Sequence, residues 1–280
     1  MKLILKNSSL TFGVPQAIED ALASIYTNYN ATKFKNFMSA IGGESGSIWN
    51  KIKVLWMPIF SGTDGNLYYN IKTRSIVGFN SSDALSLWTL SSDANNSNVA
   101  GFKGNISSDA GIGMNIYVNT TERPYNLTTH NICLFGIAPN NPNPTASLNI
   151  CSWCIGSVYD RTLYGIKQQA DQIIFTKLET QISGSTAVSK NSTGFTTTLA
   201  YCMTNSDGII GLATNNSAYV AQTSKIFGDT ETNLVSLLPC AKSQHGQNTY
   251  GALFSIFGAA TSFTQTEAET MVSALNTFLS

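Results

Sequence analysis

The hydrophobic pattern of the first fifty residues predicts one strand followed by helices. Residues 1–12 alternate apolar and polar positions with a period of two, which predicts a strand. Apolar residues in 15–52 instead recur at helical spacing, which predicts a helical segment. Pro15 suits the first turn of its first helix, Asn30 suits the N-cap of a second, and Gly42-Gly43 suits the end of that second helix.

The pattern changes from Val54 onward and predicts a β-rich domain. Short β-branched and aromatic runs recur between Gly, Asn, Asp and Ser residues, as in "KVLWM", "NICLFGIA", "DQIIFTKL" and "VSLLP". Asp64-Gly65 and Asp207-Gly208 predict hairpin turns. Many short strands at this spacing are typical of a sandwich or a barrel. Helical patterns do not alternate with the strands, so a doubly wound parallel sheet is disfavoured.

The C-terminal residues predict a capped amphipathic helix after a last strand. Thr264-x-x-Glu267 has the residue types of a capping box. Six apolar residues then fall on one helical face: Ala268, Met271, Val272, Leu275, Phe278 and Leu279. This stripe requires a partner, which we expect to be the outer face of the sandwich or the N-terminal helical segment.

Composition and charge exclude some classes of partner. The 280 residues are 42% hydrophobic, and only 11% are charged, with a net charge of zero. Nucleic-acid binding requires a basic face, and the scattered Lys and Arg residues form none, so we expect no nucleic-acid partner. The apolar run of 3–5 is too short for a signal-peptide core, and no run reaches membrane-spanning length, so we expect no membrane partner.

Four stretches resemble one viral variety of the laminin-G-like, concanavalin-type jelly roll. They are "YGALFSIFGAATSFTQTEAETM" (250–271), "IWNKIKVLWMPIFSGTDGNLYYNIKT" (48–73), "NVAGFKGNISSDAGIGMNIYV" (98–118) and "SKNSTGFTTTLAYCMTNSDGIIGLATN" (189–215). The resemblance covers roughly 48–280. It implies a mainly β fold, a concanavalin-like jelly-roll β-sandwich with an N-terminal helical segment and a C-terminal closing helix.

The resemblance also implies a function. Similar domains occur in fibre, decoration and tail proteins of tailed phages that infect gut Bacteroidales, including crAss-like phages. The expectation is a non-enzymatic structural protein on the surface of a phage virion, with other virion proteins and host surface glycans as partners. In that interpretation residues 1–52 serve assembly or anchoring, and residues 53–280 form the sandwich. Two alternatives stay open: a carbohydrate-binding module of a bacterial surface protein, and a glycoside hydrolase.

The resemblance further implies a homo-oligomer, with a trimer favoured. A physical reason points the same way. Tyr29, Phe34 and Phe37 give the helical segment more apolar surface than a small cap needs, and exposed apolar patches often mark interfaces. The alternative is that all these rings pack on the sandwich of their own chain.

The sequence offers no catalytic pair of carboxylates. Glycoside hydrolases place two carboxylates about 5–10 Å apart, and those of this fold carry them on alternate residues of one strand. The Glu-x-Glu pair of this chain, Glu267 and Glu269, falls in the predicted closing helix instead. We therefore expect no enzymatic activity and no catalytic residue.

Cofactor and metal motifs are equally weak. Cys151 and Cys154 form a Cys-x-x-Cys pair, but it lies in a strand-like run without further ligands at useful spacing, so we expect it to be inert. His130 and His245 fall in loop-like stretches. Asp64-Gly65-Asn66 and Asn205-Ser206-Asp207 are candidate calcium ligands that turn chemistry explains as well. We expect no cofactor.

Aromatic residues provide the candidate glycan contacts. Tyr159, Tyr164, Tyr201 and Tyr219 lie near predicted turns, where an exposed ring could stack on a sugar. The alternative for each ring is half-buried packing at the end of the sandwich. Rings within strand runs are expected in the core instead, namely Trp88, Tyr117, Trp153, Phe175 and Phe254.

Overall fold

The fold is known from a computed structural model. It describes residues 16–26, 28–60, 69–76, 88–92, 100–104, 116–117, 131–138, 148–155, 162–169, 172–177, 186–191, 199–206, 209–215, 217–223, 235–239 and 253–280. The strand expected in residues 1–12 lies outside these ranges.

Helices lie near the two ends of the chain and strands fill the middle, as the sequence predicts. The helices are α1 (Gln16–Ile25), α2 (Ala31–Ala40), α3 (Ser47–Lys51) and α4 (Gln265–Asn276). The strands are β1 (Ile52–Trp56), β2 (Tyr69–Asn70), β3 (Ser75–Ile76), β4 (Trp88–Ser92), β5 (Ala100–Gly104), β6 (Ile116–Tyr117), β7 (Ile132–Ala138), β8 (Leu148–Ile155), β9 (Thr162–Gln169), β10 (Gln172–Lys177), β11 (Thr186–Asn191), β12 (Leu199–Ser206), β13 (Ile209–Thr214), β14 (Ser217–Thr223), β15 (Val235–Pro239), β16 (Leu253–Phe254) and β17 (Ile256–Ala260). No helix in these ranges is long and apolar enough to cross a membrane.

Two six-stranded sheets form the jelly-roll β-sandwich, which confirms the predicted mainly β fold. The first sheet has the order β1-β17-β7-β12-β13-β14, and the second has the order β11-β10-β9-β8-β15-β6. Neighbouring strands in both sheets run antiparallel. The hairpin predicted at Asp207-Gly208 is present, because Ser206 pairs with Ile209 across it. β11 lies against β13 and β14, so the two sheets approach each other at that edge.

Local signals set the bounds of the N-terminal helices. The Asn30 side chain accepts a hydrogen bond from the Lys33 amide at 3.0 Å, which confirms Asn30 as the N-cap of α2. Gly42 and Gly43 follow α2 with φ values of 87° and 70°. These left-handed conformations suit glycine and end the helix.

The helices cover one face of the first sheet with a shared apolar core. Phe34 and Phe37 of α2 are fully buried, and Tyr29 packs against the same cluster. Phe37 and Phe60 each contact Phe278, with ring centroids 5.8 Å apart in both pairs. The exposed aromatic surface expected in residues 1–52 is therefore wrong, because these rings pack within their own chain. The trimer remains a prediction, without this physical reason for it.

The closing helix α4 lies across β7, β12 and β13 and also contacts α2, so its two expected partners are both confirmed. Its capping box is complete: the Glu267 amide donates to Thr264 Oγ1, and the Thr264 amide donates to Glu267 Oε2. Glu267 also forms an ion pair with Lys51, the last residue of α3, directly before β1. The helix is thus held at its start by one carboxylate that joins two segments distant in sequence.

The other face of the first sheet is buried too. Trp56, Tyr201, Met203 and Phe257 point to this face, and each is at most 1% exposed. A sheet that is covered on both sides has no alternation of buried and exposed positions. This explains why runs such as "NICLFGIA" are apolar at nearly every position.

Candidate functional site

Of the four candidate tyrosines, Tyr201 and Tyr219 have described side chains, and their environments differ. Tyr159 lies outside the described residues. The backbone of Tyr164 lies in β9, paired with Trp153 and Lys177. Tyr201 is 1% exposed, so its ring is a core ring between layers and has no surface to offer a sugar. Tyr219, on β14, is half-buried, and among the described candidates it is the ring that combines rigid support with access.

The hydroxyl end of the Tyr219 ring packs against the backbone of the neighbouring strand. A Cβ atom built on Gly211 of β13 would fall 2.2 Å from Tyr219 Cζ and 2.7 Å from Tyr219 Cε2, so the ring occupies the space that glycine leaves empty. The Tyr219 hydroxyl lies 2.9 Å from Thr204 Oγ1 on β12, at hydrogen-bonding distance. The hydroxyl end of the ring is held by the backbone at Gly211 and by the Thr204 hydroxyl, and these two contacts fix its position.

Exposed small and apolar side chains extend this surface. Gly211 pairs with Ala221, and Ile209 pairs with Thr223, so these four residues and Tyr219 share one face of the first sheet. Ile209 is the large apolar side chain that is exposed in the described ranges, at 49%. Ala221 and Thr223 are exposed as well. We call the surface formed by Ile209, Gly211, Tyr219, Ala221 and Thr223 the Tyr219 shelf.

Helix α4 borders the shelf on one side. The Asn215 amide group donates to Asn276 Oδ1 at 2.9 Å, which places the last turn of α4 beside the β13–β14 hairpin. Glu269 lies seven residues before Asn276, two helical turns away on the same side of the helix. Glu269 Oε1 accepts a hydrogen bond from Gln265 Nε2 at 3.0 Å. A carboxylate and an amide thus stand at the border of the shelf.

The electrostatics of the ring are those of a neutral phenol beside a negative charge. Burial is the main cause that raises the pKa of Tyr219; the hydrogen bond with Thr204 lowers it, and the Glu269 carboxylate raises it. The hydroxyl therefore stays protonated at neutral pH. It can serve as a hydrogen-bonding group and as a stacking ring, and not as a base.

The chemical candidates from the sequence do not converge on this surface. Glu267 is committed to Lys51 and to the capping box, whereas Glu269 is exposed two residues on. Residues two apart on a helix point in different directions, so this pair does not face one substrate. Within the described ranges, no three His, Cys, Asp or Glu side chains come together as a metal site.

The remaining motif residues add no chemistry to the site. Cys151 and Cys154 lie in β8, which confirms their strand setting, and the inertness of the pair stays a prediction. Cys133 and Cys202 are free and fully buried, and burial raises the pKa of both thiols. His130, His245 and Asp64-Gly65-Asn66 lie outside the described residues, as does Asp207 of the second candidate calcium turn.

The sequence pattern identified Tyr219 as a candidate, but it did not identify the residues that support its ring. Thr204, Gly211 and Ile209 carry no motif. One signal was present: an isolated Gly within the strand run "GIIGLAT" often marks a close approach by another group. Glu269 was considered as part of a catalytic pair, whereas its place beside β14 follows from the packing of α4.

Comparisons with known proteins identify the fold and no family. No protein-family model matches the chain. No curated protein matches it either. Among solved structures, the binding domain of botulinum neurotoxin DC in complex with rat synaptotagmin II aligns at 13% identity and a TM-score of 0.56, over 82% of this chain and 52% of that one.

Two further solved structures give the same result. The binding domain of botulinum neurotoxin DC in complex with SialylT has 13% identity and a TM-score of 0.54, over 82% of this chain and 52% of that one. The binding domain of botulinum neurotoxin serotype G has 15% identity and a TM-score of 0.52, over 79% and 50%. The chain thus spans about half the length of the binding domains it matches. At such identities the likeness establishes a β-sandwich fold.

Proposed function

We propose that this chain is a non-catalytic carbohydrate-binding β-sandwich and that the Tyr219 shelf is its sugar-binding surface. The observation that carries the proposal is the half-buried Tyr219 ring, whose hydroxyl end packs over Gly211 and lies at hydrogen-bonding distance from Thr204. A preoriented aromatic ring can stack on the apolar face of a sugar at little entropic cost. The exposed Ile209 side chain extends the apolar contact beside the ring.

The fold comparisons support a binding role over a catalytic one. The similar structures are described as binding domains, one of them in complex with rat synaptotagmin II and another with SialylT. These are properties of those proteins, and the chain shares the β-sandwich with them. The separate directions of Glu267 and Glu269 also speak against a hydrolytic pair on α4.

The setting we propose for this module is the surface of a phage virion, as a head fibre, decoration or tail module. The support is the sequence resemblance over roughly 48–280, together with a polar surface that carries few charges. In this setting the chain assembles as a homotrimer with other virion proteins. Proteomics of purified particles tests the location, and light scattering at micromolar concentration tests the trimer; a monomer mass that persists with virion partners contradicts it.

A carbohydrate-binding module of a bacterial surface protein is the second candidate, favoured by the same Tyr219 shelf. The two candidates share the sugar-binding surface and differ in the particle that carries it. Detection of the chain in bacterial surface fractions, and its absence from virions, would select the second candidate.

A glycan-array experiment tests the binding function. The full-length protein and its Tyr219→Ala and Tyr29→Ala variants are applied to one array. Both tyrosines pack half-buried against the same helix-side core, so the variants remove the same group at similar burial. We expect Tyr219→Ala to abolish glycan binding and Tyr29→Ala to retain it. Binding that persists in folded Tyr219→Ala, or no glycan binding by the unmodified protein, would overturn the proposal.

A further inference from the structure

The charged group beside the Tyr219 shelf is a carboxylate. Among the described residues, Glu269 is the charged side chain that acts on the Tyr219 hydroxyl, and it is exposed at the border of the shelf. Lys51 ends α3 directly before β1 and Lys53 lies in β1, at the opposite end of the strand order from β14. Lys51 is also neutralised by Glu267. The described charge beside the Tyr219 shelf is therefore the negative charge of Glu269.

Glu269 also has unused hydrogen-bonding capacity. Its Oε1 accepts from Gln265 Nε2, and its second oxygen has no hydrogen-bond partner among the described residues. An ionised carboxylate only accepts hydrogen bonds, and each of its oxygens offers two lone pairs. It therefore suits a ligand that presents several hydroxyl donors, and it disfavours a ligand that brings a second anion.

We propose that the Tyr219 shelf selects an uncharged, hydroxyl-rich hexose over an acidic sugar, and that Glu269 accepts hydrogen bonds from the sugar hydroxyls. This inference rests on the proposed function. The sugar ring stacks on Tyr219, its apolar edge contacts Ile209, and its hydroxyls turn towards Glu269. A uronic or sialic acid in the same position would place two anions near each other.

The expected size of the selectivity follows from Coulomb's law. Two like charges about 5 Å apart in a water-exposed site repel each other enough to lower the affinity about fourfold, and added salt weakens the effect. Charge-assisted hydrogen bonds from sugar hydroxyls to the carboxylate favour the neutral ligand further. We therefore expect a preference of about fivefold to tenfold for the neutral sugar at low ionic strength.

A matched set of ligands isolates the charge. The set contains a hexose oligosaccharide that the protein binds, the corresponding uronic-acid oligosaccharide, and the methyl ester of that uronic acid. Calorimetry at low salt gives the three affinities for the full-length protein and for two variants, Glu269→Gln and Glu44→Gln. Glu44 is a carboxylate paired with Arg74, away from the shelf, and its variant controls for the change in net charge.

The expected result is preference for the hexose, recovery of affinity with the methyl ester, and loss of the preference in Glu269→Gln but not in Glu44→Gln. Equal affinity for hexose and uronate would overturn this inference and leave the proposed function standing. A preference that survives in Glu269→Gln would overturn the role of Glu269. If no glycan of any charge binds, the proposed function fails, and this inference fails with it.

Discussion

Two glycine–aromatic pairs on the same face of the first sheet have opposite roles. A Cβ on Gly258 of β17 would lie 2.0 Å from Phe135 Cζ, so the Phe135 ring lies over this glycine just as Tyr219 lies over Gly211. Phe135 is fully buried beneath α4 and stacks with Phe263 at a centroid distance of 6.0 Å. Tyr219 lies beside α4 and stays partly accessible. Both pairs place an aromatic ring over a glycine of a neighbouring strand. The position of α4 decides that Phe135 is buried and that Tyr219 is partly accessible.

The difference shows how this fold can build a binding surface from core-like parts. Beneath the helices, Phe135 lies over Gly258 and buries apolar surface. Its ring has no polar group that requires a hydrogen bond. Beside α4, Thr204 forms a hydrogen bond with the Tyr219 hydroxyl, which allows this aromatic side chain to stay half-exposed.

Deletion of residues 264–280 removes α4, which covers Phe135, and should abolish folding. The segment buries Ala268, Met271, Val272, Leu275 and Phe278. Each Leu- or Phe-sized side chain contributes about 1.5–3 kcal/mol on burial, against a total stability of about 5–15 kcal/mol. We expect insoluble protein or no cooperative thermal transition, with exposed Ser273→Ala in α4 as the folded control. Soluble truncated protein with an unchanged melting temperature would contradict the packing of α4.

Gly258→Ala should destabilise the core pair strongly. The new methyl group meets Phe135, which cannot move away because Phe263 packs on it. Overpacking of this kind costs about 1–3 kcal/mol. Denaturant unfolding measures the loss, and we expect the midpoint to fall with little change in the slope. A stability equal to that of the unmodified protein would mean that the Phe135 side of the sheet has free space.

Gly211→Ala makes the same change at the open pair and should cost less. The Tyr219 ring can swing outward into solvent, so the loss is mainly the hydrogen bond to Thr204, about 1 kcal/mol. The displaced ring should bind glycan more weakly, although the protein stays folded. The measurement pairs denaturant unfolding with glycan affinity. If Gly211→Ala lowers the free energy of unfolding as much as Gly258→Ala does, Tyr219 is as tightly enclosed as Phe135.

Acid should weaken the anchor of α4 slightly. Although burial raises the pKa of Glu267, hydrogen bonds from Lys51, the Thr264 amide and Ser47, together with the Lys51 charge, bring that pKa below its ordinary value of 4.5. A lowered pKa means that ionised Glu267 stabilises the fold above pH 4.5 and that this stability is lost as pH falls through the lowered pKa. Partly exposed pairs of this type contribute up to about 1 kcal/mol.

The matched variant for this effect is Glu267→Gln. It should be less stable than the unmodified protein at pH 7, and the difference in the free energy of unfolding should close as the pH falls below 4.5, measured by unfolding in urea. Glu269→Gln, in which the exposed neighbour has no ion pair among the described residues, should show a smaller gap. A constant gap across this pH range would show that the Glu267 charge does not hold α4 in place.

Short-range interactions are what the sequence by itself determined. The Asn30 cap, the Gly42-Gly43 stop and the Thr264–Glu267 capping box each join groups a few residues apart, and all three are present as predicted. The hairpin at Asp207-Gly208 belongs to the same class. Such signals depend on backbone geometry and on neighbouring side chains, so they can be recognised without knowledge of the rest of the chain.

Only the tertiary structure decided which aromatic rings are accessible. Tyr201 and Tyr219 both lie near turns in the sequence, yet Tyr201 points between layers, whereas Tyr219 lies beside α4. From the sequence, Phe34 and Phe37 were expected to form exposed apolar surface. In the structure they are buried in one cluster with Phe60 and residues of α4. Exposure depends on which distant elements cover each face of the sheet. A two-residue period assigns a side chain to one of two faces and does not say which face is covered.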